Sequence, residues 1–249
     1  MDKKMKPMPK LNKKGTYTEF PGVTVVAPTS TNNLQFWEAI YNFLNQNELV
    51  TEHYSLLPHA SYHMTTHNLY TKEHTPTPHG WNKFIDDNLA FFETLQNQIS
   101  TLLDFSPEIT ISGHIITDNV IQLVVEVPEM QHEKINNLAE FFNIQHLMPP
   151  VFHVTLAYQY KELDQISKNK IALDLSNQIS ALLPLTPPLH MYPPALTYFN
   201  DMTQFIPWDG TFNPFTQSFD KDNRFFSINN TNGPKLDVPT PLEDPSKKL

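Results

Sequence analysis

Two stretches, Ser61-Tyr62-His63-Met64-Thr65-Thr66-His67 and Phe152-His153-Val154-Thr155-Leu156-Ala157-Tyr158, each set a histidine and a threonine two positions apart. On a strand, residues i and i+2 point to one face, about 6.5–7 Å apart. Each segment then presents one imidazole and one hydroxyl to the same side. The two histidines are 153 − 63 = 90 residues apart, so the fold must bring them together. Two such strands side by side aim two imidazoles and two hydroxyls at one small volume. That set suits general acid–base work on an anionic group: one imidazole takes a proton, the other gives one, and the hydroxyls hold oxygens.

Around the motifs the chain alternates strands and helices. Gly22–Pro28 has the β-branched alternation of a strand, and Leu34–Asn47 carries Phe36, Ile40, Phe43 and Leu44 at helical spacing. A second strand is expected at His53–Leu57, and the first motif strand over Ser61–Leu69. Lys72–Gly80 has the turn chemistry of a surface loop. One long amphipathic helix is expected over Trp81–Leu103. Pro107–Ser112 and Val120–Val127 make a hairpin through Thr117-Asp118-Asn119, followed by a helix over Glu133–Phe142. The second motif strand spans Val151–Tyr160, and a helix over Asp164–Leu183 has Asp164 as its N-cap. A proline-rich crossing leads to a last strand near Ala195–Phe199 and a short helical turn over Asp201–Trp208.

The fold class that follows is α+β: two pseudo-symmetric lobes of antiparallel sheet with outer helices, and a cleft between them. Residues 1–18 read as a flexible basic tail, 19–228 as one bilobal domain and 229–249 as a disordered tail. The phenylalanines at 212, 215, 219, 225 and 226 are expected to dock on the main body.

Composition limits the partners. The net charge is −9, and a single arginine, Arg224, stands among 17 basic residues. A duplex-binding surface needs clustered Lys and Arg to displace counterions, so duplex DNA is not an expected partner. A small phosphodiester, a nucleotide or an RNA end remains compatible, because one local pocket can bind a phosphate on an acidic protein. No cysteine is present, which removes disulfides, thiolate nucleophiles and Cys-based zinc sites. No window approaches the ~18 consecutive apolar residues of a membrane span. The basic N-terminus lacks an apolar h-region, so a cytoplasmic protein is expected, with export by other routes left open. Oligomeric state is likewise left open.

Strand parity sorts the neighbours of the motif. Tyr62, Val154, Leu156 and Tyr158 alternate away from the histidines and are expected in the core. His67 shares the parity of His63, and Gln159 that of His153, so both are candidate pocket-lining residues. His63 and His67 also have the i, i+4 spacing of metal ligands on a helix. With His74 and His79 they form a rival metal set. Against it, the Thr pair disfavours helix, and on a strand i and i+4 lie about 13 Å apart.

The two His-x-Thr segments, together with Leu196-Thr197-Tyr198-Phe199-Asn200-Asp201-Met202, resemble a poorly characterised branch of the 2H phosphoesterase superfamily, the cyclic phosphodiesterase and RNA ligase-like proteins. The resemblance spans roughly residues 20–209. It implies a bilobal fold with a pseudo-twofold axis and a metal-independent site between the lobes, with no cofactor. By position, His63 and His153 become the acid–base pair, and Thr65 and Thr155 bind phosphate oxygens. Thr66-His67 departs from the hydrophobic residues usual after the first motif. The expected function is a phosphodiesterase acting on a cyclic nucleotide-like phosphodiester or an RNA end. The alternatives are a catalytically inactive nucleotide- or partner-binding module of the same fold, and a His-rich metallohydrolase.

Overall fold

The computed structural model describes residues 9–75 and 79–216. In chain order these form β1 (Gly22–Pro28), α1 (Leu34–Gln46), α2 (Glu48–Thr51), β2 (Tyr54–Leu56) and β3 (His63–Thr71). Next come α3 (Trp81–Asp87), α4 (Leu89–Leu102), β4 (Glu108–Ile116), β5 (Val120–Glu126) and α5 (Glu129–Phe141). The described part closes with β6 (His153–Gln159), α6 (Gln165–Leu182), β7 (Leu189–His190), β8 (Ala195–Phe199) and β9 (Ile206–Pro207).

All pairings are antiparallel, in the order β7-β4-β5-β6-β3-β1-β8-β9, with β2 on β6. The two motif strands are the middle pair. They share a single paired position, Met64 with Val154. Beyond it β6 turns to β2, pairing Ala157, Tyr158 and Gln159 with Leu56, Ser55 and Tyr54, while β3 stays with β1. The sheet therefore splays into two lobes of similar make-up, β7-β4-β5-β6 and β3-β1-β8-β9. This is the expected α+β, two-lobed fold.

Helices cover one face of the sheet. Phe36, Trp37, Ile40 and Leu44 bury one side of α1, and Ile171, Leu175 and Ile179 one side of α6. Each such side chain contributes about 1.5–3 kcal/mol when fully buried. Tyr62 is buried behind the first motif, its ring 6.0 Å from that of Trp37. No helix among the described residues is long and apolar enough to cross a membrane.

Four features differ from the sequence expectations. The helix expected over 81–103 breaks at Asn88 (φ −114°, ψ 10°), whose side-chain amide donates to the Phe84 carbonyl at 2.7 Å. An Asn amide competing for backbone acceptors is a common helix breaker. The fifth helix starts at Glu129, directly after Pro128, rather than at residue 133. The proline-rich crossing hides β7, which pairs with β4. The helical turn expected over 201–208 is instead a turn followed by β9 on β8.

The expected flexible tail is docked from residue 9 onward. Leu11 pairs with Tyr17 and is buried, and Thr18 binds back to the Lys10 and Pro9 carbonyls. Apolar burial of Leu11 outweighs the solvation of the neighbouring lysines. At the other end Trp208 lies 5.0 Å from Phe92, and Phe215 lies 5.4 Å from Trp81. Gly210 (φ 81°) lets the chain pass against α4, where a Cβ would fall 2.3 Å from the Glu93 nitrogen. Phe219, Phe225, Phe226 and the tail expected at 229–249 lie outside the described residues.

Candidate active site

Antiparallel register organises the site from one pair. Register continued one residue to either side of the Met64–Val154 pair sets His63 level with Thr155 and Thr65 level with His153. Met64 and Val154 are fully buried. The flanking His and Thr therefore go to the opposite face, where all four are half-buried and line one cleft.

Both imidazoles are held by the same local device. His63 Nδ1 lies 2.7 Å from the Ser61 carbonyl, and His153 Nδ1 lies 3.0 Å from the Val151 carbonyl. A carbonyl only accepts, so Nδ1 carries the proton in each ring, and Nε2 is left for chemistry. Among the described residues neither Thr65 nor Thr155 spends its hydroxyl on a hydrogen bond, whereas the buried Thr24, Thr66 and Thr197 all do.

The cleft has a volume of about 610 Å³, within the usual range for small-molecule sites. Its described lining includes Lys10, His63, His74 and His153, and no Asp or Glu. That is unusual on a chain with 26 acidic residues and a net charge of −9. One wall is apolar: Phe20, Phe199, Met202 and Phe205. The Phe205 ring sits 4.0 Å from that of His63. Burial pushes the His63 pKa down to about 4, with the nearby His153 and Lys10 lowering it further and the Ser61 carbonyl opposing. His63 is therefore neutral near pH 7.

Both pocket-lining expectations from parity are corrected. On β3, Thr65 pairs with Val26 and His67 with Val25, so Thr66 is an extra residue. On β6, Thr155 pairs with Gln122 and Ala157 with Ile121, so Leu156 is extra. Each is a β-bulge, which inverts the alternation beyond it. His67 thus turns into the core. It is fully buried, its Nδ1 lies 3.0 Å from Thr66 Oγ1, and it lies close to the backbone of Ile135. Burial pushes its pKa down to about 4. Gln159 is likewise buried, its amide donating to the Lys161 carbonyl at 2.9 Å.

The same bulges bring Asn68 to the cleft, and Tyr158, buried in the core as expected, also edges it. Pairs of bulges are not legible in one strand; the signal lies in its partner's register. The rival metal set does not assemble either. His67 is on the core face, His74 binds Thr71 Oγ1 at 3.0 Å, and among the described residues no group of three His, Asp or Glu is arranged to hold a metal.

Residues 10–117 match a 2H-phosphodiesterase family model described as a domain of unknown function, DUF1868. That match takes in 108 of the 249 residues and makes this part of the chain similar to the 2H-phosphodiesterase family. The matched region carries His63 and Thr65; His153 and Thr155 lie beyond it and join it through the β3–β6 pair. The chain is 30% identical over 137 residues to the uncharacterized protein 127L of Invertebrate iridescent virus 6, covering 53% of this chain. It spans about half the length of that viral relative (52%). The fold is similar to that of the conserved protein of unknown function ATU0111 from Agrobacterium tumefaciens, at TM-score 0.59 and 19% identity over 80% of this chain and 89% of that one. Usb1 of Kluyveromyces marxianus overlaps at TM-score 0.44 and 13% identity, over 76% of this chain and 98% of that one.

Proposed function

We propose that this chain is a metal-independent phosphodiesterase of the 2H type that uses His63 and His153 as its acid–base pair on a cyclic nucleotide-like phosphodiester or an RNA end. The reading is carried by one observation. Two imidazoles, each pinned through Nδ1 to the carbonyl two residues before it, share a cleft whose described lining has no carboxylate. A carboxylate-free cleft on an acidic chain favours an anionic substrate.

His63 Nε2, neutral, takes the proton from the attacking water or hydroxyl as its oxygen bonds to phosphorus. His153 gives a proton from Nε2 to the leaving oxygen as that P–O bond breaks. The Thr65 and Thr155 hydroxyls donate to the non-bridging oxygens, adding no charge. Proton exchange with solvent resets both rings. Its lowered pKa keeps His63 in the neutral form in which an imidazole can accept a proton.

The test is hydrolysis of adenosine 2′,3′-cyclic phosphate by wild type, His63→Ala and His153→Ala, in excess chelator. Each substitution is expected to lower kcat by about 10²–10⁴-fold. Unchanged turnover in both variants sinks the assignment. Nucleotide binding with no turnover by wild type points instead to a binding module.

A further inference from the structure

The N-terminal segment reaches the cleft with a cation that the acid–base reading leaves unused. Lys10 lines the cleft; its Nζ donates to Tyr158 Oη at 3.1 Å and lies 4.5 Å from the Tyr158 ring centre and 5.4 Å from that of Phe20. Two aromatic faces hold the ammonium by cation–π attraction. Its backbone is tied just as firmly. The Lys10 carbonyl accepts from Thr18 N at 3.1 Å, Leu11 pairs with Tyr17, and Asn12 Oδ1 accepts from Lys14 N and Thr16 N at 2.8 and 3.0 Å. Gly15 (φ 79°) closes this small hairpin where a Cβ would meet Ser55 Oγ at 2.7 Å.

Among the described residues Lys10 has no carboxylate partner. The other surface cations that are paired bind Asp or Glu: Lys72 with Glu19, Lys83 with Asp87, and Lys170 with Asp174. A lysine fixed in place without a counter-ion, in a cleft that also holds two unspent threonine hydroxyls, is short of an anion. Its companion Tyr158 is aimed there by the β6 bulge and its hydroxyl accepts from the ammonium.

We infer that the hairpin of residues 9–18 is part of the substrate site and that Lys10 binds the phosphate, neutralising its charge across from the two histidines. The inference rests on the phosphodiesterase reading for its substrate class. Lys10 is then a binding residue, acting in ground state and transition state alike. Uniform binding shows in KM more than in kcat.

The experiment compares wild type, Lys10→Met, Lys10→Arg and His153→Ala, using adenosine 2′,3′-cyclic phosphate as substrate and inorganic phosphate as inhibitor. Methionine keeps an apolar stem over the two rings and removes the ammonium, its charge and its donors together. Loss of a charge-assisted hydrogen bond predicts that Lys10→Met raises KM about 10–100-fold and weakens phosphate inhibition in parallel, with kcat within about threefold. Lys10→Arg should restore most of both. Equal KM and equal phosphate inhibition in wild type and Lys10→Met overturns the inference. So does a fall in melting temperature that Lys10→Arg does not reverse, because that marks a structural role. If His153→Ala is inactive while Lys10→Met behaves as wild type, only the Lys10 assignment fails. If wild type turns nothing over, calorimetric titration with inorganic phosphate decides: weaker binding by Lys10→Met supports the assignment, and equal or absent binding by both rejects it.

Discussion

On β3, His63 leans on the carbonyl two residues back, Thr65 follows two on, the extra residue Thr66 three on, and Asn68 enters the cleft five on. On β6 the same offsets from His153 give Val151, Thr155, Leu156 and Tyr158. The backbone device is repeated, yet the surroundings differ. His63 has Phe205 against its ring and a pKa lowered to about 4. Four residues on, β3 buries His67 where β6 buries Ala157. The comparison teaches that one backbone geometry aims both imidazoles, while side chains from elsewhere decide what each imidazole does. Phe205 comes from the turn between β8 and β9, far from either motif in sequence.

The strongest test of equivalence lies in the threonines. Thr65→Val and Thr155→Val keep shape and β preference and remove one donor each. Each should lower kcat/KM by about 10–100-fold, as expected for a hydrogen bond of roughly 1.5–3 kcal/mol to a charged oxygen. Equal losses sustain the pseudo-symmetric site; a loss confined to one strand breaks it.

Phe205→Ala tests the difference directly. As a base, His63 is active when unprotonated, so kcat/KM falls as pH drops through its pKa, near about 4 in wild type. Opening the ring to water should move that acid limb upward, toward the ordinary value of about 6.5. A limb that stays in place removes Phe205 from the account.

The smallest effect on activity is expected from His67→Leu, because His67 lies on the core face behind the strand; kcat should stay within about threefold. Its effect is on stability against pH. Burial depresses the pKa of His67, so between about 6.5 and 4 the unfolded chain binds a proton that the folded chain refuses. Stability therefore falls as pH drops through that window, by up to about 1.4 kcal/mol per pH unit for each such group. His63 contributes in the same direction. Urea midpoints across this range should show a shallower slope in His67→Leu; an unchanged slope contradicts its burial as the neutral form.

The residue pattern alone carried much of this. Apolar periodicity placed α1, α6 and the β4–β5 hairpin, Asp164 marked the start of α6, and the doubled His-x-Thr named the four residues that meet in the cleft. Those features are local, set by side chains within a few positions of one another. Parity held for Tyr62, Met64 and Val154 because they precede the bulges. It failed for His67 and Gln159, both of which follow one. The break at Asn88 and the two-residue strand β7 depend on small backbone choices with weak sequence signals.

What the sequence by itself determined is therefore the chemistry on offer: two histidines and two threonines at strand spacing, on an acidic chain without cysteine. Tertiary structure alone decided which other side chains join them. A bulge exists only in the register between two strands, and a cation delivered from residue 10 to a cleft built at residues 63 and 153 exists only once the chain has closed on itself. Period-two alternation is a property of one strand and ends where a neighbouring strand forces an extra residue into the ladder.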